Sequence, residues 1–122
     1  MFENDAQPIT KLIQAYFQGI YAGDIALLRS CFHENAFLYG DINGAPYEKG
    51  QESYLDGVAQ RESPSALGED FEMRILSIEV LGKMALVRAQ VPIYGFNYYD
   101  FLSLSEIDGQ WKIVNKLFTH RE

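Results

Sequence analysis

Few side chains in this chain have the type and spacing for chemistry, and they point to proton transfer. A serine nucleophile would need a Gly-x-Ser-x-Gly elbow, and nucleotide phosphates a Gly-x-Gly-x-x-Gly or Walker-type loop; the sequence has none of these. Its one cysteine, Cys31, excludes an internal disulfide, and His33 and His120 lack the His-x-His or Glu-x-x-His spacing of a metal site. Asp100 is the sharpest candidate. A carboxylate against an apolar wall holds its proton to higher pH and can serve as general base or acid near neutrality. Asn115 can orient a polar ligand group. Tyr16, Tyr39, Tyr54 and Tyr98 can line a cavity with ring faces and present hydroxyls. His33 is a candidate because an imidazole is a useful acid or base near pH 7, and Arg74 joins the set if it faces the pocket rather than solvent. Each has a plainer reading. Asp100 can lie wet at a strand end or pair with Arg74 or Lys116, and Asn115 can satisfy a backbone group at the core margin. His33 can simply be favoured by a helix C-terminus, and some tyrosines can be packing.

The elements that must position these groups follow from periodicity. Ile9, Leu12, Ile13, Tyr16, Phe17 and Ile20 recur at the 3–4 spacing of one helical face, and Gly23 ends that helix. Asp24 caps a second, short helix with Ile25, Leu28 and Phe32 on its apolar side, and Cys31 reads as filler within it. A short strand at 36–40 ends in the turn Asp41-Ile42-Asn43-Gly44, and residues 50–61 form a weaker helix through Tyr54, Leu55 and Val58. The period then changes to alternation, predicting strands at 71–81, 84–94, 97–107 and 110–118. The order ααβαββββ means α+β, with helices at the front and antiparallel strands behind.

Tight turns predict faces. A two-residue Asp108-Gly109 loop places Glu106 with Trp111, Leu104 with Ile113, Leu102 with Asn115 and Asp100 with Leu117 on the face under the helices. The other face takes Ser103 with Val114, Phe101 with Lys116 and Tyr99 with Phe118. Counting from Gly82-Lys83 puts Arg74 on the apolar face of its strand, unless a β-bulge near Leu76 turns it outward. Apolar residues on the far side of the sheet suggest a homodimer through that side.

The 122 residues make one domain, 1–122, and 48% hydrophobic content suffices for a core. The formal charge of −7 argues against nucleic acid and anionic membranes, which need a surplus of Lys and Arg. The acidic start of the chain, unlike a basic secretory leader, predicts a cytoplasmic protein.

Three stretches carry a resemblance: Tyr16-Phe17-Gln18-Gly19-Ile20-Tyr21-Ala22-Gly23-Asp24, Phe32-His33-Glu34-Asn35-Ala36, and Ile107-Asp108-Gly109-Gln110-Trp111-Lys112-Ile113-Val114-Asn115-Lys116. With the element order, they resemble the nuclear-transport-factor-2-like superfamily, in particular its small SnoaL-like branch labelled "putative lumazine-binding". The resemblance implies a curved sheet wrapped around helices, a cone-shaped pocket and a dimer through the outer sheet face. Superfamily members include ketosteroid isomerase, scytalone dehydratase and polyketide cyclases, which use an Asp or His-Asp pair without a cofactor, and also non-catalytic binding domains. Asp100 resembles an aspartate common in this branch, and Asn115-Lys116 its Asn-Lys ending. No histidine can be set beside Asp100, and no tyrosine is assignable as an oxyanion donor. The expectation is a binder of a small apolar or cyclic ligand, with cofactor-free isomerase, dehydratase or cyclase chemistry if it is an enzyme. The alternative is a dimeric association module with a closed pocket.

Overall fold

A computed structural model describes the backbone of residues 2–122 and the side chains of residues 6–122. Three helices, α1 (Phe2–Ala22), α2 (Ile25–Cys31) and α3 (Gln51–Gln60), lie against one six-stranded sheet. The strands are β1 (Phe32–Ile42), β2 (Ala45–Gly50), β3 (Arg74–Leu81), β4 (Met84–Ile93), β5 (Phe96–Ile107) and β6 (Gln110–His120). Their order across the sheet is β2-β1-β6-β5-β4-β3. The β1–β6 pairing is parallel, so the sheet is mixed rather than wholly antiparallel.

The predicted helical face is the buried one: Ile9, Ile13, Tyr16, Phe17 and Ile20 are all at most 4% exposed. Gly23 takes a left-handed φ of 69°, and the Asp24 carboxylate then accepts from the Leu27 N–H at 3.1 Å. Gly19 allows α1 and α2 to touch, because a Cβ there would come within 2.6 Å of the Leu28 side chain.

Two elements depart from the periodicity reading. β1 runs well beyond 36–40, and Asn43-Gly44, both left-handed, turn it directly into β2, so the order is ααββαββββ. β2 escaped because Ala45-Pro46-Tyr47-Glu48-Lys49-Gly50 has no apolar alternation. It is an edge strand, where proline and charge are tolerated and guard against further pairing. β4 and β5 are joined by a hairpin turn at Tyr94-Gly95, both at positive φ, with Ile93 opposite Phe96.

Two bulges set the faces. In β3, Ile75 pairs with Ala89 and Ser77 with Arg88, which leaves Leu76 as the extra residue. Arg74 is consequently turned outward, where its Nε donates to Gln90 Oε1 at 2.8 Å. In β6, Leu104 pairs with Ile113 but Ser103 with Asn115, so Val114 is extra. Beyond that point the predicted phase inverts. Lys116 lies opposite Leu102 and Phe118 opposite Asp100, while Asn115 and Leu117 pair with Ser103 and Phe101 on the other face.

Candidate functional site

Asp100 keeps the phase of Leu102 and Leu104 along β5, so it faces the helices and is 1% exposed. Its Oδ2 accepts the Tyr16 hydroxyl at 2.6 Å, a link from the sheet to the middle of α1. Lys116 Nζ stands 4.0 Å from the same oxygen. That ammonium is enclosed by ring faces, with centroids of Tyr54, Phe118 and Tyr16 at 5.0, 5.2 and 5.3 Å. Phe118 can lie there because β1 has no side chain beside it. A Cβ on Gly40 would meet the Phe118 ring at 2.6 Å.

Asp100, Lys116, Tyr54 and Phe118 form the floor of a cavity of about 80 Å³, closed by Ile20, Val91 and Ile93 and rimmed by Tyr47, Tyr94, Tyr98 and Arg61, with Tyr16 behind Asp100. The Arg61 guanidinium sits 4.9 Å over the Tyr94 ring. Burial pushes the Asp100 carboxyl up from its ordinary value, a shift that the nearby Lys116 charge and the Tyr16 hydrogen bond oppose without cancelling. Burial likewise holds the Tyr16 hydroxyl well above the usual range, reinforced by the negative charge of Asp100. Tyr47 is pushed up to about 12 by burial, and Tyr98 is also raised by burial. Tyr16, Tyr47 and Tyr98 therefore stay protonated at neutral pH, and the Tyr16 hydroxyl is the one that donates to Asp100.

Of the residues singled out from sequence, Asp100, Tyr16, Tyr54 and Tyr98 converge on this cavity region. Four do not. Asn115 is carried to the other face by the Val114 bulge, where its Nδ2 donates to the Phe37 carbonyl at 3.0 Å. Tyr39 alternates with the buried Leu38 and is therefore on the outer face, 43% exposed, against the Phe37 ring. His33 lies at the irregular start of β1, and its Nδ1 accepts the Asn35 N–H at 3.0 Å. Arg74 is outside, for the reason given above. Sequence reasoning named Lys116 only as an alternative ion partner of Asp100 and counted it onto the outer face, because the bulge inverts its phase, and it missed Tyr47, which sits on the unforeseen β2. It also missed Arg61, which lies just past the C-terminus of α3.

Among the described residues, no three His, Cys, Asp or Glu side chains are grouped to hold a metal. No helix among them is long and apolar enough to cross a membrane. The arrangement can accept and return a proton at Asp100, inside a ring-lined void open at one end.

Comparison with known proteins agrees with this architecture. The chain belongs to the family described as "putative lumazine-binding", whose sequence profile matches residues 4–119. Among curated proteins it is similar to an aldolase, FrzH, of a Cladobotryum species, with 28% identity over 105 residues, covering 84% of this chain and 81% of the relative. Among solved structures it resembles an NTF2-like protein of unknown function from Shewanella baltica, with a TM-score of 0.85 and 21% identity, covering 100% of this chain and 98% of the other. A second NTF2-like protein of unknown function, from Methylobacillus flagellatus, gives a TM-score of 0.86 at 23% identity, covering 98% and 94%. These structural likenesses establish the fold, an α+β domain of the nuclear-transport-factor-2-like kind.

Proposed function

We propose that this family member binds a small cyclic compound in the ring-lined cavity and moves a proton on it, with Asp100 as general base or acid. The observation that carries the reading is a single carboxyl, 1% exposed, on the cavity wall, held in one orientation by the Tyr16 hydroxyl at 2.6 Å. Fixing the base before substrate arrives removes an orientational cost from the transition state. Tyr54 and Tyr98 contribute ring faces, and Tyr16 acts through the carboxyl that it holds. Removal of a proton next to a carbonyl begins isomerisation, dehydration and aldol-type ring closure alike, and none of the three needs a cofactor. The name of the Cladobotryum relative supports the last of these.

The rest of the proposal concerns assembly and place. A second copy of the chain is the proposed partner, meeting the outer face through Phe37, Tyr39, Phe101 and Leu117, all 38–47% exposed. The cytoplasm is the proposed compartment, which suits the unpaired, buried Cys31.

The test is the titration of the Asp100 carboxyl by NMR, with a thermal-shift screen of cyclic ligands on wild type and Asp100→Asn. The expected results are a midpoint above the unperturbed value near 4 and a ligand shift that the variant diminishes. A midpoint at or below about 4 removes the base role. The limited cavity, about 80 Å³ against the roughly 150 Å³ void that takes benzene, favours one second reading, an association module with a closed pocket. That reading expects no ligand to raise the melting temperature and Asp100→Leu to melt above wild type.

A further inference from the structure

The floor of the cavity holds a cation that the acid–base role of Asp100 leaves unused. Lys116 is only 7% exposed, yet its ammonium has no hydrogen-bond acceptor among the described residues. The nearest carboxylate oxygen, Asp100 Oδ2, is 4.0 Å away, beyond hydrogen-bond length, and already takes the Tyr16 hydroxyl at 2.6 Å. The three surrounding ring faces attract the charge but do not accept its three N–H bonds as an oxygen would. Among the described residues no fully enclosed side-chain nitrogen or oxygen lacks a partner, so the donors of Nζ open into the void that Lys116 lines. A buried ammonium with open donors calls for an oxygen from a ligand.

The position of Asp100 tells which kind of oxygen. Oδ2 serves Tyr16 and Lys116, and Oδ1 takes no donor from the described residues. An acceptor and a donor this close match the two ends of one H–C–C=O unit. The carboxylate takes the proton from carbon, the C–H electron pair becomes the new C=C bond, and the carbonyl π pair moves onto oxygen. The negative charge then forms where the ammonium already stands, beside side chains withdrawn from bulk solvent, the arrangement that lowers such barriers most. With Asp100 neutral after the transfer, the ammonium and the enolate balance. Burial, which raises the Asp100 carboxyl, favours that distribution.

We propose that Lys116 is the oxyanion-binding group of the cavity, and that the ligand is a one-ring carbonyl compound held as its enolate. This inference rests on the acid–base reading of Asp100 and names the chemical class that reading leaves open. The void of about 80 Å³ encloses less than a whole ring, so the carbonyl end would enter it while the rest of a single ring lies among the rim residues Tyr47, Tyr94 and Tyr98. Arg61 on the rim adds a second positive charge, in a chain whose formal charge is −7.

The experiment compares 1,3-cyclohexanedione, an enolate at neutral pH, with cyclohexanone, the same ring without the charge, by calorimetric titration. Wild type should bind the dione at least tenfold more tightly. Lys116→Met keeps an apolar stem, should fold, and should lose the preference, while Lys116→Arg should keep part of it. Equal affinities in wild type, or an undiminished preference in Lys116→Met, overturn the proposal. So does borohydride reduction that leaves the mass of cyclohexanone on Lys116, because the amine would then bond covalently. Exchange of the α-hydrogens of cyclohexanone in D₂O, followed by NMR, separates the two readings. Asp100→Asn should abolish the exchange and keep the dione preference. Exchange that depends on Asp100 without any dione preference removes the Lys116 role alone, and a dione preference without such exchange removes the base alone. Failure of both probes to bind, with no exchange, overturns both.

Discussion

On the inner face of β5 and β6, Leu102, Leu104 and Ile113 are at most 2% exposed, and Asp100 and Lys116 stand among them. On the outer face of the same strands, Phe101 and Leu117 are 47% and 46% exposed beside Ser103, Asn115 and Thr119. Each face carries a minority of residues that the other would hold more cheaply. Burying a carboxyl and an amine costs stability unless their partners compensate, and exposing rings gains nothing in an isolated chain. The difference teaches where to look for function: the inward polar pair speaks for chemistry, the outward apolar set for association.

The largest expected effect tests whether the two faces differ as energetically as they do in exposure. Leu102→Ala removes a wholly buried side chain opposite Lys116 and should cost about 2–5 kcal/mol by urea denaturation. Leu117→Ala, one position along β6 from Lys116 but outward, should change stability by no more than about 0.5 kcal/mol when both proteins are measured at a chain concentration low enough to keep them monomeric. A Leu117→Ala loss as large as that of Leu102→Ala would mean that the outer face is already covered in the folded state.

Next in size is the hydrogen bond that holds the polar pair in place. Tyr16→Phe strips Asp100 of its one hydroxyl donor and should cost about 1–3 kcal/mol near neutral pH. The sign of the pH dependence follows from the raised carboxyl. A folded value above the unfolded one means that ionising Asp100 works against folding. The stability this group contributes is fully present below about pH 4 and is lost as pH rises through the folded value. Losing the Tyr16 donor raises that value further, because the bond favours the charged form. The cost of Tyr16→Phe should therefore be larger at pH 8 than at pH 4, measured as the change in urea midpoint. An equal cost at both would show that the carboxyl does not ionise in the folded protein.

How far this contrast was legible from sequence depends on which strand carries the residue. Asp100 could be placed inward because it shares β5 with Leu102 and Leu104 at even spacing, and no bulge intervenes on that strand. The pairs nearest the turn, Glu106 with Trp111 and Leu104 with Ile113, also stand as counted from Asp108-Gly109. The count fails one residue later, at Val114. A β-branched residue in an apolar run looks the same whether it is paired or bulged, so Asn115 was placed inward and Lys116 outward, the reverse of the structure. A trace was present in Leu117-Phe118, two adjacent apolar residues that cannot both face one core, but it did not locate the slip. In β3 the corresponding trace, apolar phase switching around Leu76, offered a bulge as one of two open readings, and the structure has that bulge, with Arg74 turned out. β2 left no trace, since an exposed edge strand needs no apolar alternation, and Tyr47 was missed with it.

The smallest effect on the fold should come from charge placed on the outer face, and there the comparison is sharpest. Phe37 on β1 and Phe101 on β5 flank β6 on that face, 38% and 47% exposed. In an interface between identical copies the same patch meets itself, so two like charges on it are brought together across the contact. Phe37→Glu with Phe101→Glu should leave monomer stability within about 1 kcal/mol, since each exposed substitution contributes about 0.5 or less. Light scattering should nevertheless fall from twice the chain mass in wild type to one in the variant. The titration of Asp100, which faces the opposite side of the sheet, should not move. A wild type that already runs at one chain mass would remove the reason offered for the exposed rings, while the buried Asp100–Tyr16–Lys116 cluster would stand as before. A variant that loses both its partner and the raised Asp100 value would instead show that the two faces act as one device, with assembly holding the cavity in shape.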